Sequence, residues 1–312
     1  MRILESIDQL AASGPFVVTV GTFDGPHRGH LRILEASVRT ARRLAARPAV
    51  VTFAPHPEAV LRGRPPALLS DPAETHARLA AAGIEVLVRQ PFDRAFAAQT
   101  ADDFVRRLAA GGGLRGLVMC TESHLGRDRS GSAAALAPLV AELGAHLVVV
   151  DALPAGGERI SSSRIRALLA AGALGQAARL LGHRAAVIGT VVHGDGRGRG
   201  LGFPTANLAF DAPVALPSDG IYASRVSWGG PDPLHPARAA AGAASLGVRP
   251  QFDGRGRLLE VYLLDIDEEL YGQRLRVEFV RRLRGERRYD SVDALVAQMA
   301  RDVDRVRRLL DR

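Results

Sequence analysis

The chain has 312 residues, with 41 basic side chains against 33 acidic ones and a net charge of +8. Two domains are expected at this length, each long enough to bury a core without disulfides or a structural metal. Every basic residue is arginine. This excludes Schiff-base chemistry, a Walker A phosphate loop and a protein-kinase site, each of which needs a lysine.

The excess positive charge suggests an anionic partner. Arginines and acids divide almost evenly between residues 1–183 and 184–312, so neither half is a basic tail and no nucleic-acid partner is expected. Cys120 is the only cysteine, so no internal disulfide forms, and a reducing, cytoplasmic location is expected. The opening MRILESIDQLAASGP has no signal-peptide apolar core, and no uncharged apolar run reaches about 18 residues, so no membrane span is expected.

In chain order, the first half alternates apolar strands with helical patterns. Strands are read at Phe16–Val20, Ala49–Phe53, Glu85–Val88, Leu114–Cys120 and His146–Val150. Helices are read at His30–Ala46, Glu74–Ala82, Ala101–Ala110 and Ala133–Leu143. Continuous apolar strands separated by helices predict a parallel, doubly wound α/β sheet with ligands at the strand carboxyl ends. Ser162–Leu181 reads as one or two short helices.

From Arg184 the texture changes. Ala186–Val192, Ile221–Ser227, Leu258–Ile266 and Leu275–Phe279 read as strands punctuated by Gly, Pro and Asp, which suggests a β-sandwich or barrel. A helix follows over Ser291–Leu310, with a stripe of Val292, Leu295, Val296, Met299, Val303 and Val306 read as core packing. The fold class is α/β plus all-β, with domains at 1–183 and 184–312.

Between the first strand and the first helix lies Gly21-Thr-Phe-Asp-Gly-Pro-His-Arg-Gly-His30. Glycines let backbone approach a ligand, and amides at a helix start attract phosphate oxygens. His27 and His30 are three apart, so both can face one bound group, where imidazolium donors would stabilise phosphoryl charge. A zinc pair is the competing chemistry, but no third ligand stands close in sequence. Thr52-Phe-Ala-Pro-His-Pro57 follows the second strand, and Ile160-Ser-Ser-Ser-Arg-Ile-Arg166 follows the last. Serines at a helix start beside arginines form a second anion site.

On these motifs the first half resembles the nucleotidyltransferase module of prokaryotic FAD synthetases. The resemblance implies that His27 and His30 contact ATP phosphates during adenylyl transfer. It implies ATP contacts at Gly21, Phe23, Asp24, Gly25 and Gly29, and a triphosphate clamp at Ser162, Ser163 and Arg166. One segment departs from the family. Where a Gly-x-(Asp/Asn)-Phe-x-Phe-Gly pattern lines the flavin and nucleotide pocket, this chain has Cys120-Thr-Glu-Ser-His-Leu-Gly126. Glu122 takes the acidic, flavin-facing position, but two rings suited to an isoalloxazine are replaced.

The second half carries Gly189–Leu208, with glycines at 194, 196, 198, 200 and 202. Such a mobile, amide-rich loop can wrap phosphates, with Arg197 and Arg199 adding charge. Thr205 and Asn207 follow, two apart on an extended segment and so on one face. Their oxygens suit Mg²⁺ with phosphate. Glu260 stands downstream as a carboxylate able to take a proton from a primary alcohol.

This half resembles riboflavin kinase nearly end to end. The shared features are the glycine-arginine flap, Pro204-Thr-Ala-Asn207, Gly220-Ile-Tyr222, Glu260, Leu270-Tyr-Gly272 and Leu283-Arg-Gly-Glu286. The resemblance implies a six-stranded barrel with a terminal helix. Gly194, Gly196, Arg197, Gly198, Gly202 and Pro204 would contact ATP, Thr205 and Asn207 would hold Mg²⁺, and Arg284 and Glu286 would face flavin. Glu260 would be the base for the ribityl 5′-hydroxyl. Arg249 and Gln251 replace an Asn and a Thr of the family.

Two readings stand at this point. One is a bifunctional enzyme that uses ATP and Mg²⁺ to convert riboflavin to FMN and FMN to FAD. The other is a riboflavin kinase whose first domain has lost or changed its adenylyltransferase. A regulatory RNA-binding protein on this scaffold would need a basic patch without catalytic groups, against the even charge and the retained Thr205, Asn207 and Glu260.

Overall fold

The structure is a computed structural model that describes residues 1–194, 196–248 and 257–310. Two compact units are present. The first comprises Met1–Pro66 and Thr75–Ser162; the second comprises Ala67–Glu74 and Ser163–Arg312.

The first unit holds six parallel strands: β1 (Arg2–Leu4), β2 (Phe16–Val20), β3 (Arg47–Ala54), β4 (Val86–Pro91), β5 (Leu114–Cys120) and β6 (His146–Val150). Their order is β1-β4-β3-β2-β5-β6. The order reverses between β2 and its neighbours β3 and β5, which places a switch point beside β2. Helix α1 (Arg28–Arg43) follows β2; α2 (Ala101–Ala109) precedes β5 and α3 (Ala133–Glu142) precedes β6. The run of Val17, Val18, Val50, Val51, Leu87 and Val88 is fully or almost fully buried, as expected of strands covered on both faces. Helix α1 buries Leu34, Ala36, Ser37, Thr40 and Ala41. Edge strand β1 and the short helices Ile7–Ala11 and Pro57–Arg62 are additions to the elements read from sequence.

In the second unit, helices α4 (Ser162–Ala170) and α5 (Leu174–Leu181) precede a closed barrel. Its strands are β7 (Ala186–Val192), β8 (Thr205–Ala209), β9 (Gly220–Trp228), β10 (Arg238–Val248), β11 (Arg257–Leu263) and β12 (Arg274–Arg284), in closed order β7-β8-β11-β10-β9-β12. Every neighbouring pair is antiparallel, and closure leaves no open edge. Tyr222 and Phe279 meet edge-on at 5.3 Å inside the barrel, both buried. Helix α6 (Val292–Leu310) lies against β9 and β10. The texture change at 183 marks the start of the barrel, whereas α5 and all of α4 after Ser162 cluster with it.

Segment 67–74 also belongs to the second unit. Leu68 exchanges backbone hydrogen bonds with Pro213 and Ala215. Glu74 is 1% exposed and accepts two hydrogen bonds at 3.0 Å from the Arg276 guanidinium.

Candidate functional site

Each unit carries its own candidate site. In the first, the turn after β2 and the start of α1 line a cavity of about 270 Å³ with Cys120, Glu122, Asp151, Arg159 and Ser162. Gly21, Phe23, His27, Gly29 and His30 all line it. Gly21 and Gly29 are closely packed. A Cβ at Gly21 would sit 3.2 Å from the Phe23 ring, and one at Gly29 3.1 Å from the His27 ring. Phe23, at φ 48, turns its ring into the core with Leu34, Val50 and Leu87. Asp24 and Gly25 are buried outside the lining, and the Asp24 carbonyl accepts from Ser162 Oγ at 3.1 Å.

His27 caps α1, its Nδ1 accepting from His30 N at 3.2 Å. That acceptor role leaves the ring proton on Nε2, a donor for a phosphate oxygen. The two imidazoles stack with centroids 3.7 Å apart. Burial lowers His27 to about 4. Burial, and then repulsion from His27, hold His30 well below the usual histidine range. The imidazolium donors expected from sequence are therefore neutral rings here, because a stacked, buried pair disfavours charge.

Cys120 lies at the end of β5, half-buried on the cavity wall. Glu122 lines this cavity, where it pairs with Arg159. Ser163 and Arg166 belong to the second unit, where Arg166 Nε donates to the Ala67 carbonyl at 2.7 Å. His56 caps helix Pro57–Arg62 through Nδ1, while Phe53 of the same motif lines another cavity.

That second cavity of the first unit, about 490 Å³, is bounded by Val20, Phe53, Leu61, Phe92, Phe96, Gln99 and Leu125–Arg129 among others. Phe53, Phe92 and Phe96 form a mutual ring cluster with centroids 5.3–6.0 Å apart. These rings supply the stackable surface that Ser123 and Leu125 do not. Sequence reading singled out the motif that holds Phe53 but missed Phe92 and Phe96, which stand on a separate segment. The one local signal was Phe92 and Phe96, four apart.

In the barrel, Asn207 on β8 is the direct partner of Glu260 on β11, and Thr205 is the partner of Tyr262. Thr205, Asn207 and Glu260 thus share one face of the ladder. Thr205 lines two cavities. One, of about 260 Å³, adds Phe203, Ser245, Glu260, Tyr262, Arg284 and the α6 residues Leu295, Met299, Asp302 and Val303. The other, of about 430 Å³, adds Arg199, Pro204, Leu270, Tyr271 and the acidic turn Asp267–Glu269. The α6 stripe read as core packing therefore lines a cavity through three of its members, while Val292 is exposed and Val306 buried.

Gly198 lines the smaller cavity, and a Cβ on it would meet the Phe203 carbonyl at 2.4 Å. A Cβ on Gly194 would come within 2.3 Å of the Asn207 amide. Gly196 and Gly202 turn the flap at positive φ. Arg249 and Gln251, and the Arg197 side chain, lie outside the described residues. Arg284 gives two hydrogen bonds to Asp302 Oδ2, at 2.9 and 2.7 Å, so Asp302 sets its orientation at the cavity wall. Glu286 stands outside the lining, its carboxylate packed on Gly247.

The residues present fit a divalent cation with phosphate. Asn207 is 7% exposed, and its Oδ1 is buried without a hydrogen-bond partner among the described residues. A hard oxygen acceptor in that state suits such an ion.

The comparisons decide the family. A family model for FAD synthetase matches residues 10–164 and one for riboflavin kinase matches 181–310. The "Bifunctional riboflavin kinase/FMN adenylyltransferase" of Escherichia coli strain K12 is 36% identical over 97% of this chain and 96% of its own. The chain belongs to the bifunctional riboflavin kinase/FMN adenylyltransferase family. The same-named protein of Listeria monocytogenes is 31% identical over 92% of this chain and 90% of its own. A solved structure described as a macrolide-efflux protein from Streptococcus pneumoniae matches with a TM-score of 0.86 and 29% identity, over 98% of each chain. Among the described residues of this chain, no helix is long and apolar enough to cross a membrane.

Proposed function

We propose that the chain phosphorylates riboflavin to FMN with ATP and then adenylylates FMN to FAD with a second ATP. The kinase is assigned to residues 184–312 and the adenylyltransferase to 1–183. The observation that carries the kinase is Thr205, shared by two cavities and set on one ladder face with Asn207 and Glu260. That arrangement suits a flavin on one side, ATP on the other and phosphoryl transfer between them.

Riboflavin occupies the smaller cavity, with Tyr262, Leu295 and Met299 against its ring system and Glu260 at the ribityl end. Glu260 accepts the proton of the 5′-hydroxyl as that oxygen attacks the γ-phosphorus of ATP, and ADP leaves. Thr205 and Asn207 would hold Mg²⁺, which when bound would neutralise charge on the transferring phosphoryl group. Gly194, Gly196, Gly198 and Gly202 of the flap give backbone amides to the phosphates.

In the first unit, ATP occupies the histidine cavity and FMN the aromatic one. His27 Nε2–H donates to a phosphate oxygen while the FMN phosphate attacks the α-phosphorus and pyrophosphate leaves. The ring cluster of Phe53, Phe92 and Phe96 supports the bifunctional reading over a kinase alone, since it gives the isoalloxazine a surface.

The test is direct. Purified protein receives FMN, ATP and Mg²⁺ without riboflavin, and flavins are separated by chromatography. Appearance of FAD supports the adenylyltransferase; unchanged FMN refutes it.

A further inference from the structure

One polar group on the wall of the aromatic cavity is unanswered. Gln99 lines that cavity with Phe96 and Gly126. Its Oε1 is buried and has no hydrogen-bond partner among the described residues. Its backbone is fixed, since the Gln99 carbonyl accepts from Arg127 N at 2.8 Å. Other polar groups of the wall are engaged. His124 Nδ1 lies 3.0 Å from the Glu122 carbonyl and 3.2 Å from Arg129 Nη2, and Arg127 lies 3.5 Å from Asp128. A buried amide oxygen without a donor costs stability, and each such group calls for an explanation.

We propose that Gln99 reads the imide edge of the flavin in this cavity, its Oε1 accepting the ring N3–H and its Nε2 donating to an adjoining ring carbonyl. The inference rests on the assignment of this cavity to FMN. A carboxamide places an acceptor beside donors, the complement of an N–H flanked by carbonyls. The phenylalanine rings would stack any flat ring in more than one orientation. A placed polar group is what selects the edge that enters. The terminal amide torsion is soft, so the side chain turns onto an occupant at little cost.

The experiment compares FMN with N3-methyl-FMN in adenylyl transfer, with FAD or its analogue measured by chromatography. Wild-type protein should prefer FMN by about tenfold in kcat/KM, the worth of one buried hydrogen bond. Gln99→Leu should raise KM for FMN about tenfold, leave KM for the methylated flavin nearly unchanged, and so erase the preference. Gln99→Met repeats the test with a flexible side chain if the branched one impairs folding. Phe96→Ala reports on the cavity itself. If Phe96→Ala raises KM for FMN while either folded Gln99 variant keeps the wild-type preference, the role of Gln99 is overturned and the cavity assignment stands. An absence of preference in the wild type overturns the role equally. If Phe96→Ala leaves KM for FMN unchanged, the cavity assignment fails and the inference falls with it.

Discussion

Asn207 stands directly opposite Glu260 across the antiparallel β8–β11 ladder. An amide oxygen that is buried without a donor among the described residues and a carboxylate are thereby held as neighbours on one pleated face. The relationship separates two roles that single substitutions can resolve. Glu260→Gln keeps shape and removes the proton acceptor, so FMN formation should fall by about 10²–10⁴-fold. Conversion of supplied FMN to FAD should stay near wild type, because that step is assigned to the other unit. Paired assays of the two steps check this.

The flap makes a steric prediction. A Cβ at Gly194 would come within 2.3 Å of the Asn207 side chain, so Gly194→Ala must displace the flap or the amide. FMN formation should drop at least tenfold, since a misplaced positioning group costs on the order of 10²-fold. FAD formation from supplied FMN is the internal control.

Acid should weaken the first unit through His27. Burial pushes its imidazole down to about 4 from the ordinary 6.5. Between those values the unfolded chain binds a proton that the folded chain refuses, so stability falls as pH drops from about 6.5 and levels off below about 4. His27 alone contributes a loss of about 3 kcal/mol over that range. Hydrogen exchange of the β2 and β5 amides, followed from pH 7 to pH 4, should show the decline. A His27→Gln variant should show a flatter one.

The Glu74–Arg276 pair predicts a stability cost in the second unit. Both side chains are largely removed from solvent, at 2% and 12% exposure. Glu74→Ala removes two of the guanidinium's hydrogen bonds and leaves it Glu278 at 3.2 Å, so about 2–3 kcal/mol should be lost on chemical denaturation.

How much was legible in sequence followed from local chemistry. Strands Phe16–Val20, Leu114–Cys120, His146–Val150 and Ala186–Val192 stand at the residues where their apolar runs placed them. Strand Arg238–Val248 escaped because its Ala- and Gly-rich sequence has little β-propensity. Its reason is tertiary: a Cβ at Gly242 would sit 2.8 Å from Val226 Cγ2, so small residues are needed there. Edge strand Arg2–Leu4 is too short to show a period. The α6 stripe was visible, but a helical period tells which face is apolar, not whether protein or ligand covers it. The histidine turn and Thr205–Asn207 were legible because each is contiguous. Phe92, Phe96 and Gln99 were not, because only the fold brings them to one cavity with Phe53.

The central claim is that one lysine-free chain makes FAD from riboflavin in two steps. Purified protein with riboflavin, ATP and Mg²⁺, sampled over time and resolved by chromatography, tests it most directly. FMN should appear first and FAD after it, with Glu260→Gln blocking both from riboflavin and leaving FAD formation from supplied FMN intact. Accumulation of FMN with no FAD, even from supplied FMN, would contradict it.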